Sequence, residues 1–477
     1  MKKLGKYLSI TFLLLLGLCC AGVLYLFFVP GSNLFNITYI SYNETKSSQS
    51  FNTELVSKIV LNSYNYPVKI TTTDSNSASV KVHNNSFGFA MKKDNYANIT
   101  TKLKEGVLTF NIKEPVGFAI NNSSAITLYL PNKQAVDLEL KNNASLTKII
   151  NGNVTINNLK YTSKEGDIIV EKGKINGDLN LDLHMADFNI RTEAETNLNN
   201  VQVSVTTGKF NAADEKFGTI TVLSNDRGVI WVDECDRVEM SNKLSGGRIE
   251  ANKVNTINVR TSDTHIKIKE VLDGAIVNLS KYGTVTIDNL TGFSDIMTTN
   301  GNITLNKANS IALLRSVHGD IKVKNAYLKI DAKTTYGNIN VTFAEDAQEF
   351  STTNDSRSLI ALTKNGRIIA SGVDYAVVTV EKSGSGSAFI TYNKVSGNSS
   401  FVSDVGSISI RVNKESAFEL NSQTTSGAVR INLTQTPVYN GWTNKIVNEK
   451  INCTSSDDKI NISTNSGGIL MLDSNFY

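Results

Sequence analysis

The chain is poor in proline, cysteine and tryptophan, with 5, 4 and 2 among 477 residues. Glycine is present at 32, and Asn, Ser and Thr are abundant. So few prolines, with an aliphatic pattern persisting to the last residues, exclude low-complexity disorder. The composition suits many turns and exposed strand faces. Four cysteines form no disulfide framework and no zinc spacing. Cys19 and Cys20 lie in an apolar run, while Cys235 and Cys453 stand alone. In a coil with ~4.8 Å per rung the last two would sit ~50 Å apart, far beyond the roughly 7 Å a disulfide spans. Charge of either sign is also scarce. The net formal charge is +4, from 48 basic and 44 acidic residues. No long basic block and no basic stripe with interleaved aromatics occurs, which excludes a nucleic-acid partner.

What the chain has is a beat. Gly283-Thr-Val-Thr-Ile287, Gly301-Asn-Ile-Thr-Leu305, Gly319-Asp-Ile-Lys-Val323 and Gly337-Asn-Ile-Asn-Val341 recur every 18 residues. After each glycine the residues alternate polar and aliphatic, the period of a strand with one buried face. A strand returning at a fixed interval with no helical spacer predicts an all-β fold, a parallel β-solenoid. Val285, Ile303, Ile321 and Ile339 should form one inward column, with Ile287, Leu305, Val323 and Val341 beside it. A second inward cluster should hold Leu290 and Phe293, then Ala308, Ile311 and Leu313, then Ala326, Leu328 and Ile330. Each glycine suits a corner that needs φ > 0 or a close backbone approach.

Degenerate copies begin at Gly152, Gly166, Gly177, Asp187, Gly208, Gly228, Gly247 and Thr264, and again at Gly366, Gly386, Gly406, Gly427 and Gly468. They predict about 16 rungs over residues 132–477. The long intervals before Gly366 and Gly468 predict protrusions at 345–358 and 436–458. Residues 55–131 hold strand patterns without the beat and read as an N-terminal cap region. Residues 30–54 are polar and read as a tether. Residues 7–29 carry no charge and are long enough to span a bilayer as one transmembrane helix. Lys2, Lys3 and Lys6 make residues 1–6 a cytoplasmic stub and put the bulk of the chain outside. A cleaved signal peptide and a lipoprotein signal at Cys19 or Cys20 are the rivals.

Three features resemble a known family. One is Ile126-Thr-Leu-Tyr-Leu-Pro131 followed by Asp137-Leu-Glu-Leu140. Another is the repeat in Ser163-Lys-Glu-Gly-Asp-Ile-Ile-Val170 and Thr299-Asn-Gly-Asn-Ile-Thr-Leu305. The third is the membrane segment ahead of them. Together they are similar to the bacterial "putative adhesin" family of β-solenoid repeat domains, over roughly residues 55–477. That resemblance implies a surface-displayed solenoid and brings no catalytic residues.

Parallel β-helices also host polysaccharide lyases and hydrolases, so the acids matter. Asn354-Asp355, Asp457-Asp458 and His318-Gly319-Asp320 resemble elements of polygalacturonases. Here His-Gly comes first and no Arg-Ile-Lys follows. Inverting hydrolysis needs two carboxyls about 6.5–9.5 Å apart, and Asp355 and Asp458 should lie several rungs apart. The expectation is no enzyme. His184, His265 and His318 each have an acid two residues away, Asp182, Asp263 and Asp320; His83 has none. A strand would put each pair on one face, but no third zinc ligand follows. Outward Asp167, Asp178 and Asp320 could stack around calcium, yet the nonapeptide calcium repeat is missing. No metal or cofactor is expected. Asn98, Asn278, Asn302, Asn340 and Asn398 head Asn-x-Ser/Thr triplets, which this composition produces by chance. Trp231 should cap a rung. Trp442, in a predicted protrusion, is the candidate contact residue. The function expected is adhesin-like binding or scaffolding of surface glycan or protein at the cell envelope. The alternative is a polymer joined end to end through Ile469-Leu-Met-Leu472.

Overall fold

Each 18-residue coil in the centre of the chain is three strands and three corners. Val285–Leu290 begins with Val285 and Ile287 turned inward, followed by a corner and Leu290. Phe293–Thr298 then presents Ser294, Ile296 and Thr298 to the same interior. The next glycine starts the following coil. The structure is a computed structural model, and it describes residues 11–21, 40–89, 98–113, 118–122, 124–132, 134–143, 148–191, 194–196, 198, 200–242, 246–345, 357–374, 377–434, 439–441, 445–454 and 456–473. The chain divides into two compact units, Met1–Val154 and Thr155–Tyr477. Both are built of parallel ladders, and the architecture is an all-β parallel β-solenoid.

In the second unit the two columns read from the sequence are present. Val285 pairs with Ile303, Ile303 with Ile321 and Ile321 with Ile339; Ile287, Leu305, Val323 and Val341 follow in step. All eight are fully buried. This is the glycine face. A short face follows, where Leu290, Ala308, Ala326 and Phe343 stack. The broad face closes the coil. In the four strands from Lys209–Asn225 to His265–Leu279 all three faces run as one continuous strand. About 12 turns form, fewer than the 16 rungs expected. One reason is that Gly152, Gly166 and Gly177 precede segments on three different faces.

The broad face corrects one expectation. Phe293, Ile311 and Leu313 point outward, while Ser294, Ala312 and Leu314 take the interior. A one-residue change of register exchanges the two faces of a strand. Hydrophobicity favoured the aromatic, and the ladder Ser294–Ala312–Ile330 decided otherwise.

The last coil is out of sequence order. From Asn398–Ser403 and Ile408–Val412 the chain moves on to Phe418–Thr424 and Val429–Asn432. It then returns, and Lys459–Thr464 and Ile469–Asp473 insert between those two coils. Tyr439–Gly441 and Ile446–Ile451 cover the outer edge with antiparallel pairing. Within the expected protrusion at 436–458, these strands are thus edge covers. The expected end-to-end contact through Ile469–Leu472 is also overturned, because that strand has neighbours on both sides. An uncovered parallel edge would template aggregation.

The first unit repeats the device. Lys58–Tyr64 and Val68–Thr73 lie between the coil holding Val107–Ile112 and Ala125–Pro131 and the coil holding Val136–Asn142 and Lys148–Ile150. Ser77–Phe89 and Ile99–Lys104 cover it with antiparallel strands. Ile40–Ser47, read as tether, is a strand on Ser77–Phe89. Its polar sequence conceals a pairing that only the partner strand supplies.

Glu139 in this unit is buried between Lys58 at 2.5 Å and Lys141 at 3.0 Å. Burial pushes its pKa up, but hydrogen bonds and charge from both lysines outweigh that and hold it below its ordinary 4.5. A depressed carboxylate stabilises the fold above its unfolded pKa and ceases to as pH falls through the folded value. Glu139→Gln should therefore cost about 1.5–3 kcal/mol at pH 7, the range for hydrogen bonds to a charged group. The difference from the parent should shrink below pH 4.5. Urea unfolding at pH 7 and pH 3 checks both halves; a gap that is constant with pH would refute the assignment.

Residues 11–21 are helical, with Phe12, Leu13 and Leu18 about two-thirds exposed. Among the described residues no helix is long and apolar enough to cross a membrane. The remainder of the expected span lies outside the described residues, as do the 1–6 stub, Trp442, Asn354 and Asp355. All four cysteines are free thiols, with Cys235 buried.

Candidate functional site

The polar residues that follow the glycines are committed to the coil itself. The Asn302 side-chain oxygen accepts the Asp320 backbone N–H at 2.8 Å, Asp320 accepts from Asn338 at 2.7 Å, and Asn338 accepts from Arg367 at 2.9 Å. Asp167 and Asp187 act likewise on Asp187 and Lys209. Asp178 accepts from the Asn200 amide at 3.1 Å. The carboxylates that could have stacked around calcium thus spend oxygens on the next coil. Burial, aided by the Asp167 charge, raises the pKa of Asp187.

The histidines do not pair with the acids two residues away. His184 and His265 meet Thr206 and Thr284 of the next coil at 3.0 and 2.9 Å, and His83 meets Thr45 at 3.1 Å. His318 stacks on Tyr336 with ring centroids 4.9 Å apart. Among the described residues no group of three or more His, Cys, Asp or Glu could hold a metal ion. Asp458 accepts the Gly397 N–H at 2.6 Å, a structural bond. Of the Asn-x-Ser/Thr sites, Asn98 accepts from Lys46 at 2.7 Å. Burial pushes the Cys235 thiol up to about 12, so it stays protonated. Trp231 lies mid-stack between Asn211 and Glu250 and caps nothing.

The outward broad face of the second unit is the remaining candidate. Among the described residues, shallow depressions lie along it. One of about 490 Å³ is bordered by Lys160, Asn180, Asp182 and Gln202. Another of about 340 Å³ lies among Arg237, Asn258, Ile276 and Phe293. The third, of about 240 Å³, lies where Ser400, Asn461, Asn421 and Asn448 align across four strands. Period-two alternation forces these side chains out, because their neighbours fill the core. Charge on the face is largely self-neutralised. Arg237 meets Glu239 at 3.1 Å, Arg315 meets Asp295 at 3.3 Å, and Lys333 meets Asp331 at 3.3 Å. Such exposed pairs add little stability, but they leave no stripe of one sign for a polyanion. Of the outward apolar residues Ile276, Phe293, Met297 and Ile311, sequence reading placed Phe293 and Ile311 in the core and did not single out the other two.

A profile of the family described as Toastrack DUF4097 matches residues 56–233 and 178–360. No curated protein matches the chain. Among solved structures, a "putative cell adhesion protein" from Clostridium sporogenes is 9% identical, covering 91% of this chain and 100% of its own, with a TM-score of 0.17. A "putative adhesin" from Bacteroides fragilis is 13% identical over 73% of this chain and 97% of its own, TM-score 0.18. A "putative lipid binding protein" from Parabacteroides distasonis is 12% identical over 72% and 96%, TM-score 0.16. Superpositions this loose carry no argument about function. The profile, in contrast, spans residues 56–360, well over half of the chain, and this protein belongs to the Toastrack DUF4097 family.

Proposed function

We propose that this is a non-enzymatic, membrane-anchored cell-surface protein that binds or scaffolds partners through the broad face of its second unit, as an adhesin does. One observation carries the reading: three depressions lie on the same outward face, two of them built from equivalent strand positions in successive coils and the third completed by the antiparallel strand Ile446–Ile451. Each is shallow, so a single contact is weak, and repetition converts weak contacts into avidity. In this reading residues 7–29 are the anchor, residues 1–6 remain cytoplasmic, residues 30–39 are the tether, and the bulk of the chain is extracytoplasmic. The uncharged run and the exposed apolar side chains of helix 11–21 support an apolar environment for that segment.

The test uses the full chain displayed by cells. External protease should digest the second unit on intact cells. Those cells should bind members of a panel of immobilised glycans and envelope proteins. Replacing Asn180→Arg and Phe293→Ser together should weaken binding at least tenfold if avidity across the face operates. Silence across the panel, or binding indifferent to the double substitution, removes the proposal.

A further inference from the structure

The third depression has a chemistry of its own. Across four strands, Ser400, Asn461, Asn421 and Asn448 stand in one register row. The first three belong to the parallel ladder, and Asn448 comes from the antiparallel return strand that covers its edge. A second row beside it holds Val402, Gln423 and Ile446, with Val402 and Ile446 exposed. No ionisable side chain is among the residues lining the depression. The amides are already aligned by one another. Asn421 donates to the Asn461 side-chain oxygen at 3.0 Å, and Gln423 donates to the Ser463 hydroxyl at 3.3 Å.

We infer that this row is a subsite for a neutral oligosaccharide. The inference rests on the binding role proposed above and deepens it by naming the ligand class. An amide offers both a donor and an acceptor, and so does a sugar hydroxyl; a row of amides therefore matches a row of hydroxyls without a net charge on either side. Ile446 and Val402 supply apolar surface for the C–H face of a pyranose ring. The row crosses three strand spacings, ~14 Å, and pyranose units in a linear chain repeat at close to one such spacing. The cavity lies below the ~300 Å³ at which ordinary small-molecule sites begin, which suits part of a longer chain lying across the surface. A charged ligand would find no counter-ion in the groove and would lose hydration without compensation.

The experiment titrates the full chain in detergent micelles with cellotriose and tri-N-acetylchitotriose as neutral probes and trigalacturonate as the anionic one. At least one neutral trisaccharide should bind, and trigalacturonate should bind at least tenfold more weakly. Gln423→Ala with Asn448→Ala should weaken neutral binding at least tenfold while thermal unfolding matches the parent. Asn448→Asp, a second variant, should weaken it as well. Lys322→Ala, exposed on the glycine face, should not. Failure of both neutral trisaccharides, a preference for trigalacturonate, or indifference to the Gln423 and Asn448 changes overturns the subsite. If the cell-binding of the preceding subsection survives such a result, only the subsite has failed. If both assays are silent, the binding role has failed with it.

Discussion

Gly319→Ala should disrupt the second unit, whereas Gly468→Ala should leave it nearly unchanged. The glycines stack directly on one another. A Cβ on Gly319 would sit 1.9 Å from the carbonyl oxygen of Gly301, and one on Gly337 would sit 2.0 Å from that of Gly319. Neither Gly319 nor Gly337 has a positive φ, so the constraint is closeness of backbones and not handedness. Overpacking costs about 1–3 kcal/mol where side chains can adjust. Here the obstacle is main chain held in ladders on both sides, so ~3 kcal/mol or more is expected. Gly468 also follows the repeat's spacing and was read as a strand start, but the stack uses Gly467, whose added Cβ would meet the Gly406 oxygen at 1.8 Å. At Gly468 the nearest atoms would be 3.4 and 3.6 Å away. Urea unfolding of the two variants decides the matter. Equal stabilities would refute the stack as the reason for the beat.

Thr334→Val should destabilise the same unit by about 2–4 kcal/mol, two buried groups at 1–3 kcal/mol each with partial relaxation. Thr334→Ser should restore most of the loss. The Thr334 hydroxyl accepts the Gly337 N–H at 3.0 Å and donates to the Gly319 carbonyl at 3.2 Å. Valine keeps the shape and removes both bonds. The device recurs: Ser316, Thr363 and Thr424 each accept a glycine N–H three residues on and donate to the glycine carbonyl of the neighbouring coil. Thr464 and Ser403 donate to the glycine oxygens of Gly467 and Gly406. Lys382 holds the equivalent position between Thr363 and Ser403. Its ammonium reaches the Ser385 carbonyl at 2.9 Å, and burial lowers its pKa. A valine variant as stable as the parent would show that the hydroxyl column is incidental.

Much of this was readable in advance, for a definite reason. The aliphatic columns Val285–Ile303–Ile321–Ile339 follow from period and interval alone, since a fixed repeat stacks like on like. Asp320 was read as outward, and it is, but its bonds to Asn302 and Asn338 of the neighbouring coils were invisible because no single coil contains both partners. The motif noticed at Thr299 lay one residue from the working residue: Thr298 is buried and donates to the Gly301 carbonyl at 2.6 Å. Local pattern showed a hydroxyl before the glycine without showing which one turned inward. The groove at Asn421 and Asn448 was illegible, because those residues meet only after the chain reverses and an antiparallel strand joins the ladder.

The amino-acid order by itself determined the parallel solenoid, its two principal aliphatic columns and its glycine corners, because these depend on periodicity, and periodicity is a property of one coil repeated. Tertiary structure decided the facing of Phe293, the insertion of the last coil between its predecessors and the row of amides on the broad face. Those depend on which strand lies beside which, and hydrogen-bonded register between distant segments leaves no trace in the spacing of either one.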